Sequence, residues 1–160
     1  MVMIWEDVTV TIGEDKKKKL LDGVTGFAEP GRIMAVMGPS GCGKTTLLTS
    51  LAETLAANVA VTGNIQINGK KRSLYSKEVT ISNGEKKRLS IGLEILTQPL
   101  VLLLDEPTVG LDSLSILCDS SPKQHIALKG KLVICSIHQP GCETFNIFDG
   151  LLLLSNGETV

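Results

Sequence analysis

Residues 37–46 of the 160-residue chain read MGPSGCGKTT, and from Gly38 to Thr45 they complete the spacing G-x-x-x-x-G-K-T. Glycines at 38, 41 and 43 permit the backbone to turn so that successive N–H groups converge on a phosphate. Lys44 can then reach the terminal phosphates, the Thr45 hydroxyl can ligate magnesium, and Pro39, Ser40, Cys42 and Thr46 complete the wrapping stretch. A helix starting near Lys44 adds the positive end of its dipole. The bland alternative is a glycine-rich turn with no ligand.

A second constellation lies in LVLLLDEP, residues 100–107, where Asp105 and Glu106 end an apolar run. An acid pair in that place is costly unless a cation or a reacting water uses it. One carboxylate can hold magnesium through its water shell, and the next can orient or deprotonate an attacking water. A solvated turn before Pro107 is the simpler reading of the pair taken alone. His138 stands at the end of a third apolar run, KLVICSI, where a lone histidine is ordinarily a polar core or surface residue.

The elements that must position these groups follow from hydrophobic patterning. MIWEDVTVTI alternates as a half-buried strand does and stops at Gly13, after which GEDKKKK reads as an exposed turn. RIMAVM runs from Pro30-Gly31 into the glycine loop as a fully buried strand, and KTTLLTSLAETLAA carries Leu47, Leu48, Leu51 and Leu55 at helical spacing. VAVTGNIQI before Asn68-Gly69 reads as a strand and turn or a strand pair, and EKKRLSIGLEIL as a core-facing helix. Buried strands separated by helices predict an α/β domain, a mostly parallel sheet with helices on both faces. In such sheets ligands collect at the carboxyl ends of strands, beyond which Gly38, Asp105 and His138 all lie.

Composition narrows the field further. With 42% hydrophobic residues the chain suffices for a single domain over 1–160, and its formal net charge of -1 gives no drive toward nucleic acid. The four cysteines, at 42, 118, 135 and 142, show neither zinc nor disulfide spacing, which fits a reduced cytosolic setting. No apolar run approaches the roughly 20 residues that span a bilayer.

GPSGCGKTT, NGEKKRLSIGLEIL, LLLDEPTVGLDS and CSIHQP stand in the order found in the ATP-binding cassettes of ABC transporters, and their wording resembles the White or ABCG subfamily of half transporters. The resemblance implies a P-loop NTPase fold, ATP and Mg2+ as ligands, and ATP hydrolysis that drives export of lipidic or hydrophobic substrates. It makes Asp105 the magnesium carboxylate, Glu106 the catalytic base and His138 the switch histidine on the γ-phosphate. Gly110–Ser113 resembles the D-loop. Ser82, Asn83, Gly84 and Glu85 resemble the signature that clamps the γ-phosphate held by a second cassette, in a homo- or heterodimer. The same residues fit a capping box at a helix start, since Ser82 and Glu85 have the S-x-x-E spacing.

Departures from the family are also legible. Only KKRSLYSKEVT separates Asn68-Gly69 from Ile81-Ser82, where the family has several dozen residues, so the cassette is truncated between about 70 and 80. The Q-loop glutamine and most of the helical subdomain are missing, Gln66 lies too early to substitute, and the sheet is expected to show an unprotected edge beside the Asp105 strand. Pro122 should break or delay the helix after the D-loop. Trp5 is the nearest aromatic for an adenine and reads as core. The resemblance places an intact relative at the cytoplasmic face of a membrane, joined to a transmembrane domain that this chain does not contain. The alternative function is a non-catalytic nucleotide-binding or interaction fragment that pairs with full-length transporters; a soluble P-loop kinase is argued against by the signature, D-loop and SIHQP.

Overall fold

The computed structural model describes residues 1–13, 18–71, 79–83, 100–107, 130–138 and 145–160. Two sheets carry the chain. β1 (Met3–Ile12), β2 (Lys18–Ala28), β4 (Val59–Ile67) and β5 (Lys70–Lys71) form an antiparallel sheet in the order β2-β1-β4-β5. β3 (Ile33–Met37), β6 (Val79–Asn83), β7 (Val101–Asp105), β8 (Leu132–Ile137), β9 (Gly150–Ser155) and β10 (Glu158–Thr159) form a sheet in the order β10-β9-β3-β8-β7-β6. Within it β9, β3, β8, β7 and β6 are parallel and β10 returns antiparallel on β9. The helix α1 (Lys44–Ala52) follows β3.

The burial of each strand follows from its sequence. β1 buries Met3 and Trp5, then Val8 and Val10, a change of parity produced by a register shift between Trp5 and Val8 in its pairing with β2. β3, β7 and β8 are apolar on both faces, as strands in the middle of a covered parallel sheet must be. Val36, Leu103, Ile134 and Leu152 meet Leu47, Leu48 and Leu51 of α1 and Trp5 and Leu21 of the antiparallel sheet in one core. On the opposite face Ala35, Leu104, Cys135 and Ile137 form a second core, with Ile147 and Phe148 against it. The hairpin expected at Asn68-Gly69 is present between β4 and β5, with both residues at positive φ, 53° and 74°.

Three expectations are corrected. The helix stops at Ala52, five residues before Ala57. Glu53 takes a left-handed conformation (φ 54°), its N–H donates to the Ser50 carbonyl and the Thr54 N–H to that of Thr49, a closure that ends the helix before Leu55. Lys18 and Lys19, assigned to an exposed turn, begin β2 as exposed strand residues, where each pairs across to the end of β1. The edge beside the Asp105 strand is covered, because Val79–Asn83 pair in parallel with Val101–Asp105. β-branched Val79, Thr80 and Ile81 suit a strand, and the backbone groups on that side of the buried β7 need partners. Ser82 and Asn83 are therefore both strand residues, and no helix begins between them. Gly84, Glu85, the helix expected over EKKRLSIGLEIL, the D-loop segment and Pro122 lie outside the described residues.

Candidate phosphate and metal site

The glycine loop joins β3, buried in the middle of the parallel sheet, to α1. Gly43 caps the helix with a φ of 107°, offers no side-chain cap, and the first turn holds no acid. The N–H groups of that turn point where an anion would complete them. Gly38 is required by close approach, since a Cβ there would run into the Leu154 carbonyl oxygen and come to 2.6 Å from Cys42 Sγ. The loop is also tied to the β9–β10 turn, where the Gly157 N–H donates to the Cys42 carbonyl at 3.0 Å. Cys42 is buried, so its thiol fills space beneath the loop and is not presented to solvent.

Lys44 is 5% exposed, and its Nζ donates to the carbonyls of Gly38 (2.8 Å) and Pro39 (3.0 Å). The ammonium is thus held inside the curve of the loop, with a third proton for a phosphate oxygen. Pro39, Ser40 and Gly41 are exposed at the tip, and Thr46 is half-buried in the first turn of α1.

Across the loop, exposed Thr45 donates its hydroxyl to Asp105 Oδ1 at 3.1 Å. Asp105 ends β7, half-buried, and its Oδ1 also accepts from Ser136 Oγ at 2.6 Å. Ser136 in turn accepts the Glu106 N–H at 2.8 Å. Glu106 is exposed and left-handed (φ 45°), directly before buried Pro107, and half-buried His138 follows the last residue of β8. Register aligns Val36, Ser136 and Asp105 across β3, β8 and β7, and sets Asn83 of β6 level with Asp105.

A hydroxyl and a carboxylate 3.1 Å apart, beside a helix N-terminus, are hard oxygen donors suited to magnesium. Among the described residues no group of three or more His, Cys, Asp and Glu could hold a metal, so the cation would bring water and phosphate as its other ligands. The residues present fit magnesium and a phosphate chain. Those named from the sequence for phosphate and metal stand together, Glu106 follows directly and His138 lies just past the end of the neighbouring strand. Ser82 and Asn83 reach the same sheet end, but as strand. Ser136 was missed, and its signal was a single hydroxyl in the otherwise apolar β8, two positions before His138.

A buried strand, a glycine loop and helix, and an acid-ended strand two places away in the sheet define the P-loop nucleoside-triphosphatase class. The ABC transporter family model matches residues 21–78 and 64–109, and the chain belongs to the ABC transporter family. It is 42% identical over 226 aligned positions to ABC transporter G family member 13 of Arabidopsis thaliana, covering 100% of this chain and 33% of that protein. To ABC transporter G family member 11 of the same plant it is 36% identical, covering 99% of this chain and 32% of the relative. The chain thus spans about a third of the curated relatives it matches, and an alignment of 226 positions opens wide gaps in its 160 residues. A nucleotide-free ATP-binding cassette from an ABC transporter superposes with a TM-score of 0.68 at 18% identity, covering 99% of this chain and 89% of that one. That likeness supports the fold alone. Among the described residues no helix is long and apolar enough to cross a membrane.

Proposed function

We propose that this chain binds MgATP as the cassette of a G-type ABC transporter. The observation that carries the reading is the buried Lys44 ammonium inside the glycine loop, together with the Thr45–Asp105 oxygen pair beside it. The loop N–H groups and Lys44 hold the β- and γ-phosphates, and Thr45 and Asp105 hold magnesium. Magnesium supplies charge neutralisation at the transferring phosphoryl group. Glu106 orients or deprotonates the attacking water, and His138 holds the γ-phosphate from the adjoining strand end.

Hydrolysis in this family needs a second cassette, whose signature clamps the γ-phosphate from across a dimer, and in an intact relative it drives export of lipidic or hydrophobic cargo at the cytoplasmic face of a membrane. The pairing of β6 favours a narrower role here. With Ser82 and Asn83 bonded into the sheet, this chain can receive a partner's signature but is poorly built to supply one. Loss of one preorganised donor costs about 100- to 1,000-fold in rate. The isolated chain therefore binds ATP and turns it over very slowly, as a nucleotide-binding fragment able to pair with full-length transporters.

Calorimetry with MgATP tests the site: Lys44→Ala should weaken binding at least about tenfold, from the loss of a charge-assisted contact of roughly 1.5–3 kcal/mol. Equal affinity in both proteins would remove the phosphate site. Phosphate release at saturating ATP, with Glu106→Gln as the control, tests the narrower role. Fast turnover abolished by that substitution would overturn it.

A further inference from the structure

We infer that Ser136 is a positioning residue for the magnesium carboxylate and for the base that follows it. The inference rests on the reading of Asp105 and Glu106 given above. Ser136 is fully buried, and a buried hydroxyl has one proton and two lone pairs to place. Its proton goes to Asp105 Oδ1 at 2.6 Å, in the short range of a hydroxyl bonded to a carboxylate, and a lone pair takes the Glu106 N–H at 2.8 Å. One side chain thus grips two successive residues with different tasks.

Its place in the sheet makes that grip a reference to the phosphate loop. β8 lies between β3, which delivers the loop, and β7, which delivers the acids, with Ser136 in register with Val36 on one side and Asp105 on the other. Thr45 and Ser136 both donate to Oδ1. When the Thr45 oxygen turns to a cation its bond to Oδ1 weakens, and Ser136 remains to fix the carboxylate's rotation about Cβ–Cγ. The contact with Glu106 has a second consequence. A left-handed residue directly before proline is an unfavoured conformation that surrounding contacts must sustain, and the N–H bond to Ser136 is one of them.

The test separates positioning from simple packing. ATP affinity is measured by calorimetry with excess magnesium and again in EDTA, and the ratio of the two is the metal-dependent gain. Substitutions of groups that hydrogen-bond a metal's carboxylate ligand cost about 10- to 100-fold in metal affinity. Ser136→Ala should therefore cut the gain by about tenfold or more and leave the affinity in EDTA within about twofold. Ser136→Thr and Ser136→Val form a second pair of equal shape in which the threonine alone keeps the hydroxyl, so any strain from the added methyl groups is common to both. Threonine should keep most of the gain and valine should lose it, even if the alanine protein fails to fold. An equal loss in EDTA and in magnesium, or valine matching threonine, would overturn the inference. A wild-type protein that binds ATP with no metal-dependent gain would instead overturn the metal site itself, and this inference with it.

Discussion

Gly38→Ala places the smallest possible side chain at the point where the phosphate loop lies closest to the sheet. The new Cβ would collide with the Leu154 carbonyl oxygen and sit 2.6 Å from Cys42 Sγ, whereas non-bonded carbon contacts are comfortable at about 3.5–4.0 Å. The two obstacles differ in how far they can yield. Leu154 pairs with Thr159 of β10, and its neighbour Leu153 pairs with Met37 of β3, so this carbonyl is fixed by the sheet on both sides. The Cys42 thiol is buried and moves through one torsion. The loop must therefore lift by on the order of 1 Å, an overpacking strain of about 1–3 kcal/mol. For a chain of this size each kcal/mol is worth about 2–4 °C, so Tm should fall by roughly 2–12 °C. The same lift displaces the Gly38 carbonyl from Lys44 Nζ, 2.8 Å away, and should weaken MgATP binding about tenfold. Thermal melts by circular dichroism and calorimetry read the two effects. Adding Cys42→Ala removes the sulfur but not the carbonyl, so less than half of either loss should return. Unchanged melting and affinity in Gly38→Ala would refute the reasoning, and full restoration by Cys42→Ala would transfer the cause to the thiol.

Leu51→Ala empties a fully buried site on α1 and should cost about 2–5 kcal/mol in urea unfolding, while Leu55→Ala, past the helix end and half-buried, should cost below about 1.5. Equal costs would mean that the helix runs on to Leu55. Trp5→Phe deletes a buried indole N–H that has no partner among the described residues, so stability should change by no more than about 1 kcal/mol. Its MgATP affinity should be unchanged, because Trp5 lies wholly inside the core; a tenfold loss would show that the indole serves the adenine.

The phosphate loop was legible because its determinants are local. The glycines, Lys44 and Thr45 act within a few residues of one another, and the apolar runs of β3, β7 and β8 have a composition that only a strand buried on both faces tolerates. The Asn68-Gly69 turn was legible for the same reason, since both residues accept positive φ. Val79–Asn83 was not. Read locally, Ser82 with Glu85 closes a helix start, a contribution on the order of 1 kcal/mol. The alternative is a ladder along β7, five residues with backbone groups that burial would otherwise leave without partners, and that term is visible only once β7 is in place. The end of α1 was decided in a similar way, by the Glu53 and Thr54 N–H groups closing on Ser50 and Thr49 although Leu55 keeps the helical spacing. Ser136 is the clearest case: its partner Asp105 is 31 residues away in the chain and Glu106 is 30. Sequence alone determined that Asp105 and Glu106 end a buried strand. That a buried hydroxyl from the adjacent strand holds both was decided by the parallel register of β7 on β8, which sets residues far apart in the chain at hydrogen-bonding distance.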